Sequence, residues 1–406
     1  MAAVADKARF HLERAVPQLR EFEEKEIFTK DEIRTLVTKR SDYEHLVLGP
    51  RARAEDFLSY AAWEQSLDAL RAARCKRLRI RTSSAHAAQA RTFAIFERAV
   101  TRHPGHLGLW LAYLDFAAKV KAAKRWRKVA TRALRMHPNQ PALWILAGRR
   151  AAGDGDMDGA RGYFMRGCRF CTAGVEVWAE YARCEMEWLA RMEAKKGKGK
   201  STAGAPTPIK ISNTVDEDGN MMFDDDSDDE LDEDEVMMPD PDAQFRKQKP
   251  KEVFNEEAVQ KLENSPALDG AIPMAVFDIA RKQTFFGAPA AEAFFNVFAA
   301  FPKVPCQPKL VQHVLDTMME AYPTHPATCS CNVRQVLIGV EYNTPEFPKA
   351  LREALSRLRN MLESTKDKSG LAARTLAWID PLLQFEDLDA GIRTVLEHTK
   401  RKLEES

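Results

Sequence analysis

Three aspartates alternate in the stretch GDGDMDGARGYFMR, at Asp154, Asp156 and Asp158, and Gly159 follows them. This is the opening half of a calcium loop between two helices. Such a loop takes ligands from positions 1, 3 and 5, a glycine at 6 and a bidentate glutamate at 12. Counted from Asp154, position 12 is Met165, and a thioether is a poor ligand for a hard cation. The expectation is an acidic turn without metal, with Asp156 or Asp158 capping the next helix through its free N–H groups. A little further on, Cys168 and Cys171 form a C-x-x-C, with Cys184 beyond and Cys329 and Cys331 far downstream. Structural zinc needs four ligands, usually two close pairs, and a redox pair follows a strand and opens a helix. Cys168 and Cys171 fall late in an amphipathic segment, so they read as small core residues. No P-loop, G-x-G-x-x-G or G-x-S-x-G occurs, and His103 and His137 each precede a proline at a helix end. No enzyme, cofactor or metal site is expected.

Two other clusters point to a different chemistry. Residues 71–81 hold Arg71, Arg74, Lys76, Arg77, Arg79 and Arg81; residues 119–128 hold Lys119, Lys121, Lys124, Arg125, Arg127 and Lys128. Such runs can neutralise phosphates and release counterions, or face an acidic protein partner. They belong to a strong charge segregation. Residues 1–200 carry 39 Lys/Arg against 24 Asp/Glu, while residues 201–406 carry 22 against 36. Thirteen acids and no base lie in residues 216–235. A stretch of that kind repels itself and cannot bury enough apolar surface to fold, so residues 194–250 are expected to be a disordered acidic linker. Ser227, in SDDE, fits an acid-directed kinase. No apolar run reaches the roughly 18 residues of a membrane span, and the N-terminal residues lack a signal-peptide core; a soluble intracellular protein is expected.

The elements that would position these side chains follow from an internal period. Trp110, Trp144 and Trp178 are separated by 34 and 34 residues; Arg98, Arg132 and Arg166 keep the interval, as do His103-Pro104 and His137-Pro138. Tyr113 and Tyr181 stand three residues after their tryptophans, with Ala147 between them in the series. Each period has room for two helices. In residues 107–120, Trp110, Tyr113, Leu114 and Ala117 share one face. Residues 122–136 place Trp126, Val129, Ala130, Ala133 and Leu134 on another, before HPNQP stops the helix. Helices of about 12 residues are roughly 18 Å long and cannot bury a face alone, so neighbouring pairs must stack. The repeated Trp110, Tyr113, Trp144, Trp178 and Tyr181 are expected in the interhelix core. Upstream, Thr29 and Glu32 spell a capping box for a helix running through Ile33, Leu36, Val37 and Val47 to Gly49-Pro50. One amphipathic helix bearing Phe10, Val16, Leu19 and Phe22 is expected before it.

The tetratricopeptide pattern would put glycine and tyrosine where Leu114 and Ala117 stand. Trp-x-x-Tyr in the first helix and Phe-Glu-Arg-Ala-Val (residues 96–100) in the second instead resemble the half-a-TPR (HAT) repeat of RNA-processing proteins. FLSYAAWE (residues 57–64) resembles an earlier first helix, with Phe57 in the tryptophan position, and the Trp178 helix matches almost as well. IFTKDEIRTLVTKRSDYEH and CKRLRIR are similar to the N-terminal region of the U3 small nucleolar RNA-associated protein 6 family, and the resemblance covers residues 1–190. It implies an all-α, right-handed helical-hairpin solenoid. The expected organisation is an N-terminal helical segment (1–50), HAT repeats (51–193), the acidic linker (194–250) and a degenerate HAT-like region (251–406). It also implies a nucleolar, non-catalytic scaffold of the small-subunit processome. The partners would be other processome subunits, among them the WD-repeat proteins of the UtpB/Pwp2 subcomplex, with pre-ribosomal or U3 small nucleolar RNA as further candidates and no membrane. The alternative is a HAT-type RNA-binding factor in messenger-RNA splicing or 3′-end processing.

Overall fold

The computed structural model describes residues 2–82, 85–199, 269–385 and 388–404. Among the described residues there are seventeen helices and no strand, so the chain is all-α as expected. It divides into two compact units, Met1–Tyr181 and Ala182–Ser406. Most of the expected acidic linker, Ser227 included, lies outside the described residues.

The first unit opens with α1 (Ala2–Glu13), α2 (Val16–Glu24) and α3 (Lys30–Leu48). The single helix expected over Phe10 to Phe22 is two helices. Pro17 lies in the first turn of α2, where its missing N–H is harmless, and the chain restarts there rather than continuing α1. Phe10 is consequently 57% exposed, whereas Phe22 is buried. The capping box forms as spelled: Glu32 N donates to Thr29 Oγ1 at 3.3 Å and Thr29 N to Glu32 Oε2 at 2.8 Å.

Three helical hairpins follow: α4 (Ala54–Leu78) with α5 (Ala85–Arg102), α6 (Leu107–Lys119) with α7 (Ala123–Met136), and α8 (Pro141–Gly153) with α9 (Met157–Phe170). The unit closes on the start of α10 (Glu176–Gly199), which continues through the first residues of the expected linker. In each hairpin the first helix ends in the same two-bond turn. The amides of Ile80, Ala122 and Asp156 reach back to the carbonyls of Cys75, Ala117 and Ala151 at 3.0, 3.0 and 2.9 Å. This closure requires a left-handed residue just before each of those amides. Arg79 (φ 57°), Lys121 (φ 60°) and Gly155 (φ 88°) occupy it.

At the other end of the hairpins the expected tryptophans lock the stack. Trp110, Trp144 and Trp178 are all buried. Trp110 Nε1 donates to the carbonyl of Pro104 at 2.8 Å, and Trp144 Nε1 to that of Pro138 at 2.7 Å. A second donor, one repeat later, meets the same oxygens: His137 Nε2 lies 2.9 Å from Pro104 O, and Cys171 Sγ donates to Pro138 O at 3.8 Å. His103, His137 and Cys171 therefore hold equivalent places. Phe57 stands in the tryptophan position, has no N–H to give, and meets His103 edge-on at 5.8 Å.

Aromatic rings pair at a constant interval between neighbouring elements. Tyr43 stacks on Tyr60, Phe96 on Tyr113 and Phe164 on Tyr181, with centroids 5.1, 5.4 and 5.4 Å apart. The rung between the last two is filled by Ala130 and Ala147, both buried. Between α8 and α9 the chain uses glycine for close approach. A Cβ on Gly148 would lie 2.6 Å from the buried Phe164 ring, and one on Gly167 2.9 Å from Trp144 Cβ.

The second unit contains the remainder of α10 and α11 (Ala271–Ala280), α12 (Ala288–Ala299), α13 (Gln307–Ala321), α14 (Pro326–Gln335), α15 (Phe347–Ser364), α16 (Lys368–Leu383) and α17 (Ala390–Glu404). No Trp-x-x-Tyr organises it. Phe277, Phe294, Phe295 and Phe298 build one core, and the short α14 is buried almost all round. Small residues (Ala327, Thr328, Cys329, Ser330, Cys331) let α12, α13, α15 and α16 pack against it.

The double use of each proline carbonyl separates ring packing from hydrogen bonding. Trp144→Phe should lower stability by about 1 kcal/mol, the net value of one hydrogen bond. Trp144→Ala should cost about 3–5 kcal/mol, and Gly148→Ala about 1–3 kcal/mol by overpacking. Urea unfolding followed by circular dichroism checks the order.

Candidate interaction surface

The side chains that fix the first unit also decide which charges it shows. Glu44 on α3 is buried; it accepts Tyr60 Oη from α4 at 2.8 Å and both Nη atoms of Arg98 from α5 at 2.8 and 3.0 Å. One hairpin later Glu97 on α5 accepts Tyr113 Oη from α6 at 3.1 Å and the guanidinium of Arg132 from α7. The device is the same: a carboxylate, a tyrosine from the next helix, an arginine from the helix after. It stops there. Thr131 and Ala147 stand where the next glutamate and tyrosine would be, and Arg166 donates instead to Gly162 O at 3.0 Å.

A second buried cluster lies beside the first. Glu64 takes Arg40 Nε and Nη2 at 2.7 and 3.1 Å and Arg91 Nη1 at 3.1 Å, while Arg91 Nη2 reaches Gln18 Oε1 at 2.9 Å. Arg40 and Glu64 are each about 1% exposed. Burial alone would raise the Glu44 carboxyl, but the hydrogen bonds and charge of Arg98 outweigh it and hold the group below its ordinary range. Burial, with the Glu44 and Glu64 charges beside it, pushes the Tyr60 hydroxyl well above the usual phenol value. In the second unit Glu292 is treated similarly, by Arg334 Nη2 at 3.4 Å and Arg374 Nε at 3.0 Å.

The two basic runs divide according to the partners the fold supplies to each side chain. Arg71 is buried, pairs with Asp68 at 2.7 Å and donates to Thr82 at 2.9 Å. Arg74 makes a two-pronged bond to Glu32 at 2.8 and 2.7 Å, donates to Ile27 O, and lies over the Phe28 ring. Lys119 pairs with Asp115, and Arg125 lies 4.4 Å from the Phe93 ring centroid. Lys124 is exposed and engaged within the chain. Lys76, Arg77, Arg79, Arg81, Lys121, Arg127 and Lys128 are exposed, and no described carboxylate pairs with them. All seven lie at or near the turns that join the first helix of a hairpin to the second, so the topology brings both runs to the same end of the stack. A left-handed conformation costs a non-glycine residue about 1–2 kcal/mol, and Arg79 and Lys121 both adopt it there.

The acidic turn at the third hairpin is accounted for within the chain. Asp156 caps α9 by accepting Gly159 N at 2.8 Å, Asp158 pairs with Arg161, and Asp154 with Arg150. All seven cysteines are buried thiols, and burial pushes Cys168 and Cys331 up to about 12, out of the reactive range.

This arrangement defines a helical-hairpin repeat protein whose first unit is clasped by buried glutamate–arginine pairs. Residues 12–98 match the family of the U3 small nucleolar RNA-associated protein 6, as the sequence resemblance implies. Gln18, Arg40, Glu44, Tyr60, Glu64, Arg91 and Arg98, the members of both clusters, all lie within that match. Over 196 residues the chain is 33% identical to the U3 small nucleolar RNA-associated protein 6 of Schizosaccharomyces pombe, across 47% of this chain and 40% of the relative. It is 29% identical over 201 residues to the human homolog and 28% over 197 to the mouse homolog, each across 48% of this chain and 33% of the relative. The chain thus spans well under half the length of the curated relatives it matches.

The basic runs were visible in the sequence; the buried glutamates that clasp Arg98 and Arg132 were not. The readable signal was Glu97-Arg98, an acid beside the periodic arginine, with Glu44 and Tyr60 as far apart as Glu97 and Tyr113. Removing one partner of a buried pair leaves the other charge stranded, so Glu64→Ala should lose about 3–5 kcal/mol. The bonds from Arg74, and then the Thr29 amide, lower the Glu32 carboxyl from 4.5 to about 2. Its folded value lies below its unfolded one, so its contribution is complete above about pH 4.5 and is lost as pH falls towards 2. The melting temperature should drop across that window, and Glu32→Gln should flatten the drop while lowering the plateau at neutral pH.

Proposed function

We propose that the chain is a non-catalytic scaffold subunit of the small-subunit processome, binding other subunits during assembly and processing of the 18S ribosomal RNA precursor in the nucleolus. One observation carries the reading. The segment that matches the U3 small nucleolar RNA-associated protein 6 family, residues 12–98, contains the buried clusters that join α2, α3, α4 and α5 into one body. What matches is therefore the framework of the first unit. A stack of helical hairpins offers a long surface for a helix or an extended segment of another protein. WD-repeat proteins of the UtpB/Pwp2 subcomplex are the partners this reading names. The polar chemistry of the described residues supports it: the buried carboxylates Glu44 and Glu64 are tied to structural arginines, and burial raises the thiols of Cys168 and Cys331.

The test is purification of the tagged full chain from nuclear extract, followed by probing for U3 small nucleolar RNA and identifying the proteins that travel with it. Enrichment of U3 RNA together with WD-repeat subunits, and accumulation of unprocessed 18S precursor on depletion of the chain, is the expected outcome. Recovery of splicing or 3′-end factors without U3 RNA would replace this reading with a role in messenger-RNA processing.

A further inference from the structure

Many arginines of the first unit are neutralised within the chain. Arg40, Arg71, Arg74, Arg91, Arg98 and Arg132 each have a carboxylate partner. Exposed cations without a described carboxylate partner also stand singly elsewhere in the unit, at Arg20, Lys39, Arg51, Arg135 and Arg169, but they cluster at the hairpin turns after α4 and α6. Arg77, Arg79 and Arg81 surround the first, and Lys121, Arg127 and Lys128 the second. The region is bounded on both sides. At the third hairpin the acids Asp154 and Asp158 pair with Arg150 and Arg161. On the other flank Lys25 is held by Glu21 and by Arg81 O.

Backbone geometry places two of these cations at the apex of their turns. The left-handed position of the closing turn favours glycine, and the third hairpin uses one, Gly155. The first two hairpins place Arg79 and Lys121 there instead. The turn after α2 keeps the same conformation with an acid, Glu26 (φ 53°), so the left-handed position does not itself select for charge; at the two hairpin turns it sets an exposed, unpaired cation at the apex. The two turns are also stepped. α4 runs 21 residues beyond Phe57, whereas α6 runs 9 beyond Trp110, so α4 carries roughly 18 Å more helix. The cations thus extend along a line rather than forming one knot.

We propose that this end of the hairpin stack binds the phosphate backbone of single-stranded RNA. The chemistry favours a uniformly charged strand over an acidic protein. Protein interfaces are built on an apolar, often aromatic centre, and Leu78 is the large apolar side chain exposed beside these cations. Surfaces for nucleic acid are polar and cationic. A flexible strand bearing one charge per nucleotide reaches both steps, and it needs no pocket. The proposal goes beyond the scaffold reading and stands without it.

The experiment uses the full chain and a fluorescein-labelled single-stranded RNA of about 20 nucleotides and mixed sequence, followed by anisotropy between 50 and 200 mM salt. Each phosphate contact contributes about 0.7 to the slope of log affinity against log salt for a single strand. Binding should weaken steeply with salt. The variant carrying Arg77→Glu, Arg79→Glu, Arg81→Glu and Lys121→Glu should bind at least 10-fold more weakly, with a slope shallower by roughly 2–3. A second variant, Arg79→Gly with Lys121→Gly, relieves the strain: it should melt at a higher temperature and bind RNA more weakly. RNA binding that is unchanged in either variant overturns the proposal, as does an absence of binding at 50 mM salt. So does displacement of the RNA by a polyglutamate peptide as effectively as by unlabelled RNA, which would assign the surface to an acidic protein.

Discussion

A carbonyl oxygen has two lone pairs, and the first unit is organised around filling both at its prolines. Pro104 and Pro138 end one hairpin and cannot donate, but each accepts from an indole just ahead and from an imidazole or thiol one repeat on. One donor belongs to the helix that starts the next hairpin, and the other to the end of that hairpin's second helix. The carbonyl therefore fixes where each new hairpin begins and how far it lies from the last. Tryptophan suits the task because it fills the space between helices and carries an N–H at its rim.

The ionic clasps act on a different level. Glu44 and Glu97 each gather a tyrosine and an arginine from two successive helices, so they resist sliding of one hairpin over the next. A buried ion pair adds little net stability compared with a well-packed apolar core, but it makes the wrong register expensive. Between the second and third hairpins that clasp is absent. Buried Ala130 and Ala147 stand at that junction, and within the third hairpin glycine brings α8 and α9 close enough for Phe164 to pack directly on Gly148. The same stack is thus held by charge in its first part and by shape in its later part.

Much of this was legible in the sequence, and the gaps have identifiable causes. The interval of 34 in Trp110, Trp144 and Trp178 announces the stack, because a side chain serving the same contact in every layer must recur with the layer. The capping box of α3 and the proline stops are local chemistry and appear where the residues spell them. The break between α1 and α2 is hidden in the sequence because Phe10, Val16, Leu19 and Phe22 keep a helical pattern across Pro17, yet Phe10 faces solvent. Among the basic runs, nothing local separates Arg74 from Arg77. The difference is Glu32, 42 residues away, which binds one and not the other. Cys171 belongs to a C-x-x-C that the amphipathic pattern assigns to the core, without saying what it does there. Only the repeat shows that it occupies the place of His103 and His137. The partners of buried charges are set by tertiary contact, and one-dimensional spacing exposes them only when the contact itself repeats.

The stepped hairpin formed by α4 and α5 has a broader implication. From Tyr60 to Arg98 is 38 residues, whereas from Tyr113 to Arg132 is 19, yet Phe57, Tyr60, Arg98 and His103 all keep their stations in the stack. The surplus was absorbed at the far ends of the two helices, away from the prolines. Such an architecture has a sewn spine and an untrimmed fore-edge. Segments can lengthen at the fore-edge without disturbing any stitch, so that is the side on which a chain of this kind is free to grow new surface.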